Sequence, residues 1–252
     1  MSNFFKKGGK MKKIVLANKK GGVSKTSTAV IMALKLAQKY KVLLIDTDSQ
    51  NALTSFFFED YSKIQNKTIY EAIENKVLFE DCIFQINKNL DVVPSKPEWE
   101  NINFDQIPGK ELFLKLELES ANYDYVIIDT APNTLTETVV ALACADIIII
   151  PVQLQKMDVR GVSMTLKKID EVKRTLNTTL KGIYILPTQY DYKNRTVNDL
   201  NLETLQELYP NQLLDIIIKS QSQISQLMEI GYDETAKLEN FEEYQKLIEV
   251  IK

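Results

Sequence analysis

Two kinds of apolar pattern alternate along the chain. Short runs such as Ile14–Ala17, Val42–Ile45, Leu90–Val93, Val126–Ile128, Ile147–Ile150, Ile183–Leu186 and Leu213–Ile218 are nearly unbroken, rich in β-branched residues and free of period-two alternation. Such runs fit strands buried on both faces, because both sides of the pleat must then be apolar. Between them lie stretches whose apolar residues recur every three to four positions, at Ala29–Tyr40, Val162–Leu176 and Asn198–Leu208. That spacing gives helices with one stripe for the core. Ala52–Phe58, apolar and aromatic, reads as a further helix, and Thr68 caps a short one ending at Ile73. Pro94 stops the strand that begins at Leu90, since proline offers no N–H to a ladder. The last stretch, Phe241–Lys252, sets Phe241, Tyr244, Leu247, Ile248 and Ile251 at helical spacing. Strands alternating with helices predict an α/β fold: a mostly parallel, twisted sheet with helices on both faces.

Composition narrows the chemistry. A chain of 252 residues, 44% hydrophobic, can bury one large core. Without internal repeats or an evident linker, it reads as one domain over 11–252, preceded by a flexible basic arm at 1–10. The net charge of −3 means that any affinity for nucleic acid must come from a local patch. With no histidine, neither a histidine-based triad nor a histidine-ligated metal is available. Cys82 and Cys144, both in apolar surroundings, read as reduced core residues. No apolar run reaches the length needed to cross a membrane.

The candidate chemistry starts where the first strand ends. Asn18–Ser27 reads Asn-Lys-Lys-Gly-Gly-Val-Ser-Lys-Thr-Ser and lies between a strand and a helix. In that setting backbone N–H groups and a helix N-terminus converge on an anion, Lys25 adds a point charge, and the Thr26 hydroxyl can ligate Mg²⁺. The second strand releases Asp46 and Asp48 at its carboxyl end, where open parallel sheets hold ligands. Two carboxylates beside bound phosphates repel one another unless a cation stands between them, which argues for Mg²⁺. A later strand, Tyr125–Ile128, ends in Asp129, the Walker B layout for a carboxylate that holds the water shell of a metal bound at Thr26.

Lys20-Gly21-Gly22-Val23-Ser24-Lys25-Thr26 resembles the deviant Walker A loop of the ParA/MinD superfamily of P-loop NTPases, with Ser24 standing where a glycine is usual. Asp46, Asp48 and Gln50 resemble that family's Asp-x-Asp-x-x-Gln motif, and Asp129-Thr130-Ala131-Pro132 resembles its aspartate–Thr–x–Pro stretch, followed here by an altered loop at 133–135. The resemblance runs along nearly the whole chain from Met11 and is greatest to the short ParA-type plasmid and chromosome partition ATPases. It implies an ATP- and Mg²⁺-dependent ATPase held on the loop from Lys20 to Ser27. Thr26, Asp46 and Asp129 would serve the metal, Asp48 would position the attacking water, and Lys20 would reach a partner's nucleotide across an ATP-bound homodimer. It further implies a cytoplasmic, nucleoid-associated protein that coats DNA without sequence preference and is stimulated by a ParB-type centromere-binding partner.

Basic residues cluster at Arg160, Lys167, Lys168, Lys173, Arg174 and Lys181, and again at Lys193, Arg195 and Lys219, the last three being the candidate DNA contacts. Gln223 falls near the position of a family arginine that contributes to DNA contact. The loop at Thr188–Asp191 is the candidate adenine site, and Trp99 reads as a half-buried lid. The alternative is a MinD-like membrane-surface ATPase. Against it, the polar face of the last helix carries Glu242, Glu243 and Glu249, which anionic lipid would repel, so this helix is expected to pack on the sheet.

Overall fold

The computed structural model describes residues 11–96, 107, 109–132, 136–157, 159–235 and 238–252. The arm at 1–10, Trp99 and the altered loop at 133–135 lie outside the described residues. The strands are β1 (Lys12–Leu16), β2 (Val42–Thr47), β3 (Phe84–Asn87), β4 (Leu90–Val93), β5 (Tyr125–Thr130), β6 (Ile147–Gln153) and β7 (Gly182–Thr188). They form one sheet in the order β3-β4-β2-β5-β1-β6-β7, parallel throughout except for β3, which pairs antiparallel with β4 at one edge.

The apolar runs lie in the centre of this sheet, and alternate residues feed two separate cores. Ile14, Leu44, Ile127 and Ile149 face one side, where α1 (Lys25–Ala37), α2 (Ala52–Phe57), α8 (Ser222–Ile230) and α9 (Glu242–Ile251) pack. Val15, Ile45, Ile128 and Ile148 face the other. That side is covered by α3 (Ile69–Ile73), α4 (Phe113–Glu117), α5 (Thr136–Cys144), α6 (Val159–Thr175) and α7 (Arg195–Leu208). Each fully buried Ile or Leu side chain contributes on the order of 2 kcal/mol through the area taken from water. Cys82 and Cys144 are free and buried in the second core, and burial pushes both thiols up to about 12.

Three local expectations are met in detail. Thr68 accepts from the Tyr70 N–H while its own N–H donates to Glu71, a capping box that starts α3. Strand β4 ends at Val93, immediately before Pro94. The apolar face of α9 packs inward rather than lying free, with Tyr244, Leu247, Ile248 and Ile251 buried in the core shared with α1.

The stretch Leu213–Ile218 does not form the strand its composition predicts. In place of a ladder there are two isolated bridges, Ile185 of β7 to Leu213 and, past the ends of both stretches, Tyr190 to Lys219. The cause is Pro187. Ile185 makes both ladder bonds, from its N–H to the Gln212 carbonyl and from the Leu214 N–H to its own carbonyl. Two residues on, the donor is missing, and the Pro187 carbonyl is met by the N–H of Ile218 instead of Ile216. The chain bulges by two residues, which carries Ile218 and Lys219 over the end of the sheet.

Candidate nucleotide site

Strands β2, β5 and β1 are neighbours, and their register sets Asp46 opposite Asp129 and Asp129 opposite Leu16. Side-chain alternation then turns both aspartates toward the face that carries α1. The loop from Asn18 to Ser24 leaves β1 at the same level and delivers Lys25 and Thr26 as the first residues of α1. Adjacent parallel strands ending in one row thus gather groups more than a hundred positions apart: the Thr26 hydroxyl donates to Asp129 Oδ2 at 2.6 Å.

The loop is tied down from outside. The Asn18 side chain donates to the Pro151 carbonyl at 2.7 Å and accepts from the Lys20 N–H at 3.0 Å. The Lys19 N–H donates to the Thr165 hydroxyl of α6 at 3.1 Å. Gly22 and Ser24 both adopt left-handed backbone, with φ of 71° and 73°. Lys25 is buried, its ammonium 3.4 Å from the Lys20 carbonyl. Burial draws its pKa down, opposed by the charges of Asp129 and Asp48. Lys20 itself turns away from this cluster and donates to the carbonyl of Lys156, and Val23 is buried beneath the loop.

The three acidic residues are treated differently. Asp46 is fully buried, with Oδ1 accepting from the Asp48 N–H at 3.0 Å and Oδ2 from the Thr54 N–H and hydroxyl at 2.9 and 2.7 Å. Burial pushes its carboxyl up to about 7 against those hydrogen bonds. Asp129 is equally buried, but its Oδ1 has no partner. Burial and the charge of Asp46 push it up to about 8. Asp48 accepts from the Gln50 N–H at 2.9 Å and reaches the cavity.

That cavity, of about 620 Å³, opens over the loop. Gly21, Gly22 and Ser24 to Ser27 floor one end, with Asp48 and Gln50 beside them. Ile218, Ile224 and Met228 wall the other. A polar, positively assisted end and an apolar end suit a phosphate chain joined to a flat aromatic base. Of the proposed adenine loop, Gln189 lines the cavity while Thr188 is buried under it. The wall from α8 escaped the sequence reading, although Ile224, Leu227 and Met228 at helical spacing carried the signal. Thr54, the brace of Asp46, gave none, because a threonine inside an apolar run looks like any helix position.

A cation fits this site. Asp129 offers a desolvated, unsatisfied oxygen next to the Thr26 hydroxyl, and an unmatched buried carboxylate oxygen costs free energy that a cation or its water would recover. No set of three or more acidic or cysteine ligands gathers among the described residues. Mg²⁺ does not need one, because it keeps several waters and takes one or two protein oxygens together with phosphate.

The candidate DNA residues come together on one rim. Lys193 and Arg195 flank the turn that enters α7, and the bridge from Tyr190 to Lys219 brings Lys219 to the same side. Arg195 pairs with Asp199 at 3.2 Å and Lys219 with Glu243 at 3.2 Å. Along α6 the basic residues are interleaved with acids, Lys168 pairing with Glu171 and Arg174 with Asp170, while Lys181 beyond the helix pairs with Asp146. Gln223 is exposed on α8.

These elements define a P-loop nucleotide-binding protein of the α/β class. A family model described as an AAA domain matches residues 11–182. The chain is 33% identical over 227 residues to the chromosome partitioning protein ParA of Myxococcus xanthus, covering 86% of this chain and 78% of that one. A Borrelia burgdorferi structure designated a plasmid partition protein and solved with bound AMPPNP superposes with a TM-score of 0.78 at 30% identity, over 96% of this chain and 100% of that one. Cobyrinic acid a,c-diamide synthase of Mycobacterium smegmatis, solved with ADP and magnesium, matches with a TM-score of 0.78 at 27% identity, over 87% and 92% of the two chains. The chain belongs to the ParA-type family of P-loop partition ATPases.

Proposed function

We propose that residues 11–252 form one ATPase unit that hydrolyses ATP with Mg²⁺, pairs with a second copy when ATP is bound, and in that state holds DNA without sequence preference. The observation that carries the reading is the unit Thr26–Asp129–Lys25: a hydroxyl hydrogen-bonded to a buried carboxylate with one free oxygen, beside a buried ammonium, under a loop that frames a cavity. Backbone N–H groups of Gly21 to Thr26, with Lys25, would hold the phosphates. Thr26 and Asp129 would hold Mg²⁺, which offsets phosphate charge when bound. Asp48, placed at the cavity by the brace on Asp46, would orient the attacking water. Lys20, which rests on the Lys156 carbonyl in the single chain, would swing to the nucleotide of the second copy and supply a cation there. Such a cation is worth roughly 10³–10⁵ in rate where it is supplied from outside in small GTPases.

Likeness to partition proteins supports DNA as the track and a ParB-type centromere-binding protein as the stimulating partner. The rim of Lys193, Arg195 and Lys219 is the surface proposed to meet DNA phosphates. Binding of this kind needs clustered charge and weakens steeply with salt. The buried apolar face of α9 leaves little for a bilayer to hold, which favours this reading over a membrane-surface ATPase.

The test is DNA retardation with ADP, ATP and a slowly hydrolysed analogue over a salt series, together with phosphate release. ATP-dependent retardation that fades as salt rises is expected. Retardation indifferent to nucleotide, or ATP-dependent capture by anionic vesicles without DNA binding, would overturn it. Lys20→Ala is expected to keep ATP affinity and lose turnover. Asp48→Ala is expected to accumulate an ATP-bound dimer by light scattering.

A further inference from the structure

Ser24 occupies a backbone position that an L-residue enters only against steric resistance. Its φ of 73° and ψ of 27° are left-handed, and it is the last residue before α1. Glycine would take this conformation freely, so a serine here needs support from outside the loop. That support comes from the end of β7. The Gln189 amide nitrogen donates to the Gly22 carbonyl at 2.8 Å and to the Ser24 hydroxyl at 2.9 Å. Immediately before it, the Thr188 hydroxyl donates to the Val23 carbonyl at 3.2 Å. Three consecutive loop residues are thus held by the last residue of β7 and the residue that follows it, 165 positions or more away. Gln189 is itself left-handed, with φ of 55°, which aims its carboxamide back over the loop. Both Ser24 and Gln189 line the cavity.

We infer that Gln189 is a positioning residue for the phosphate loop: its carboxamide holds the left-handed turn at Ser24 and thereby presets the loop N–H groups for a polyphosphate. The inference rests on the nucleotide-binding reading above. Held in advance, the loop need not be ordered by the ligand, and that saving appears as affinity. The dependence is conditional. Gln189 matters most because position 24 is serine; with glycine there the bonds to the Gly22 and Val23 carbonyls remain, but the turn no longer needs the hydroxyl bond to stay left-handed.

Calorimetric titration of the full chain with Mg²⁺ and ATP, and with Mg²⁺ and inorganic tripolyphosphate, tests this across wild type, Gln189→Met, Ser24→Gly and the double variant. Gln189→Met keeps the length of the side chain and removes the donor. It is expected to weaken both ligands by roughly tenfold, the scale of one or two lost hydrogen bonds. In the Ser24→Gly background the same change is expected to cost less than about threefold. A Gln189→Met protein that binds like wild type overturns the inference, as does an equal loss in both backgrounds. Loss for ATP with tripolyphosphate spared also overturns it, because Gln189 would then act on the base. Wild type binding neither ligand would instead defeat the nucleotide reading itself. Should Gln189→Met not fold, Ser24→Ala against wild type asks the same question. Alanine keeps the steric resistance and loses only the hydroxyl that Gln189 meets, so it is expected to bind more weakly than the native serine, and equal affinities would sink the inference.

Discussion

Asp46 at the end of β2 and Asp129 at the end of β5 sit side by side in one register row, both fully buried and both with raised pKa. Their surroundings differ in one respect. Every oxygen of Asp46 is met by a protein donor, and these donors belong to the turn and helix that follow it. Asp129 spends one oxygen on Thr26 and leaves the other unmatched. Equal burial therefore marks two different roles. A carboxylate with a donor on each oxygen from its own turn and helix is suited to brace the loop, and one with an oxygen left open beside a phosphate loop is the one proposed to take the cation. The family resemblance implied a metal role for both, and the hydrogen bonds in the structure favour Asp129 for it.

Substitution at these positions should break or sharpen that contrast. Asp129→Asn keeps the shape and removes the charge. It should lower Mg²⁺-dependent phosphate release by about 10²–10³, with little loss of thermal stability, since the asparagine amide oxygen can still accept from the Thr26 hydroxyl. Full turnover in that variant would end the assignment. Asp46→Asn should behave in the opposite sense. Urea unfolding should show a loss of about 1–3 kcal/mol, because an amide NH₂ cannot accept from both Thr54 donors, while ATP affinity stays near wild type. A variant that keeps its stability but loses Mg²⁺-dependent turnover would return Asp46 to the metal. Thr54→Val, which deletes only the hydroxyl partner, should cost about 1 kcal/mol in the same assay.

The smallest effect belongs to a third aspartate at the opposite end of the sheet. Asp146 accepts from the Lys13 N–H at 3.0 Å and pairs with Lys181 at 3.0 Å. Burial raises its pKa, but these partners outweigh it and hold the carboxyl below its ordinary value. The sign is that of a depressed acid: its contribution is complete above the unfolded pKa of about 3.9 and is lost as pH falls through the folded value. Asp146→Asn should therefore flatten the acid limb of a stability–pH curve below about pH 4 and leave ATP turnover unchanged. An acid limb that stays as steep would remove Asp146 from the account.

Much of the fold was legible because buried strands and amphipathic helices write themselves locally. The runs at Ile14, Val42, Val126 and Ile147 each became a central strand, and Thr68 capped the helix it precedes. Leu213–Ile218 misled for a physical reason outside itself: its ladder fails at Pro187 of a neighbouring strand. The short hairpin strand β3 lacks the apolar run that marks a central strand, so it passed unnoticed.

The site divides in the same way. That the loop residues, Asp48 and Asp129 would lie together was readable, because strand-end aspartates and a lysine-threonine pair before a helix place themselves at one edge of a parallel sheet. Which aspartate is filled and which is open depended on Thr54 folding back onto β2, and no local pattern encodes that return. The support of Ser24 by Gln189 likewise exists only because β7 ends beside the loop. Sequence determined the element types and the chemical inventory, since both follow from neighbours along the chain. Tertiary structure decided the division of labour, since hydrogen-bond satisfaction is settled between residues that meet only when the sheet closes its register.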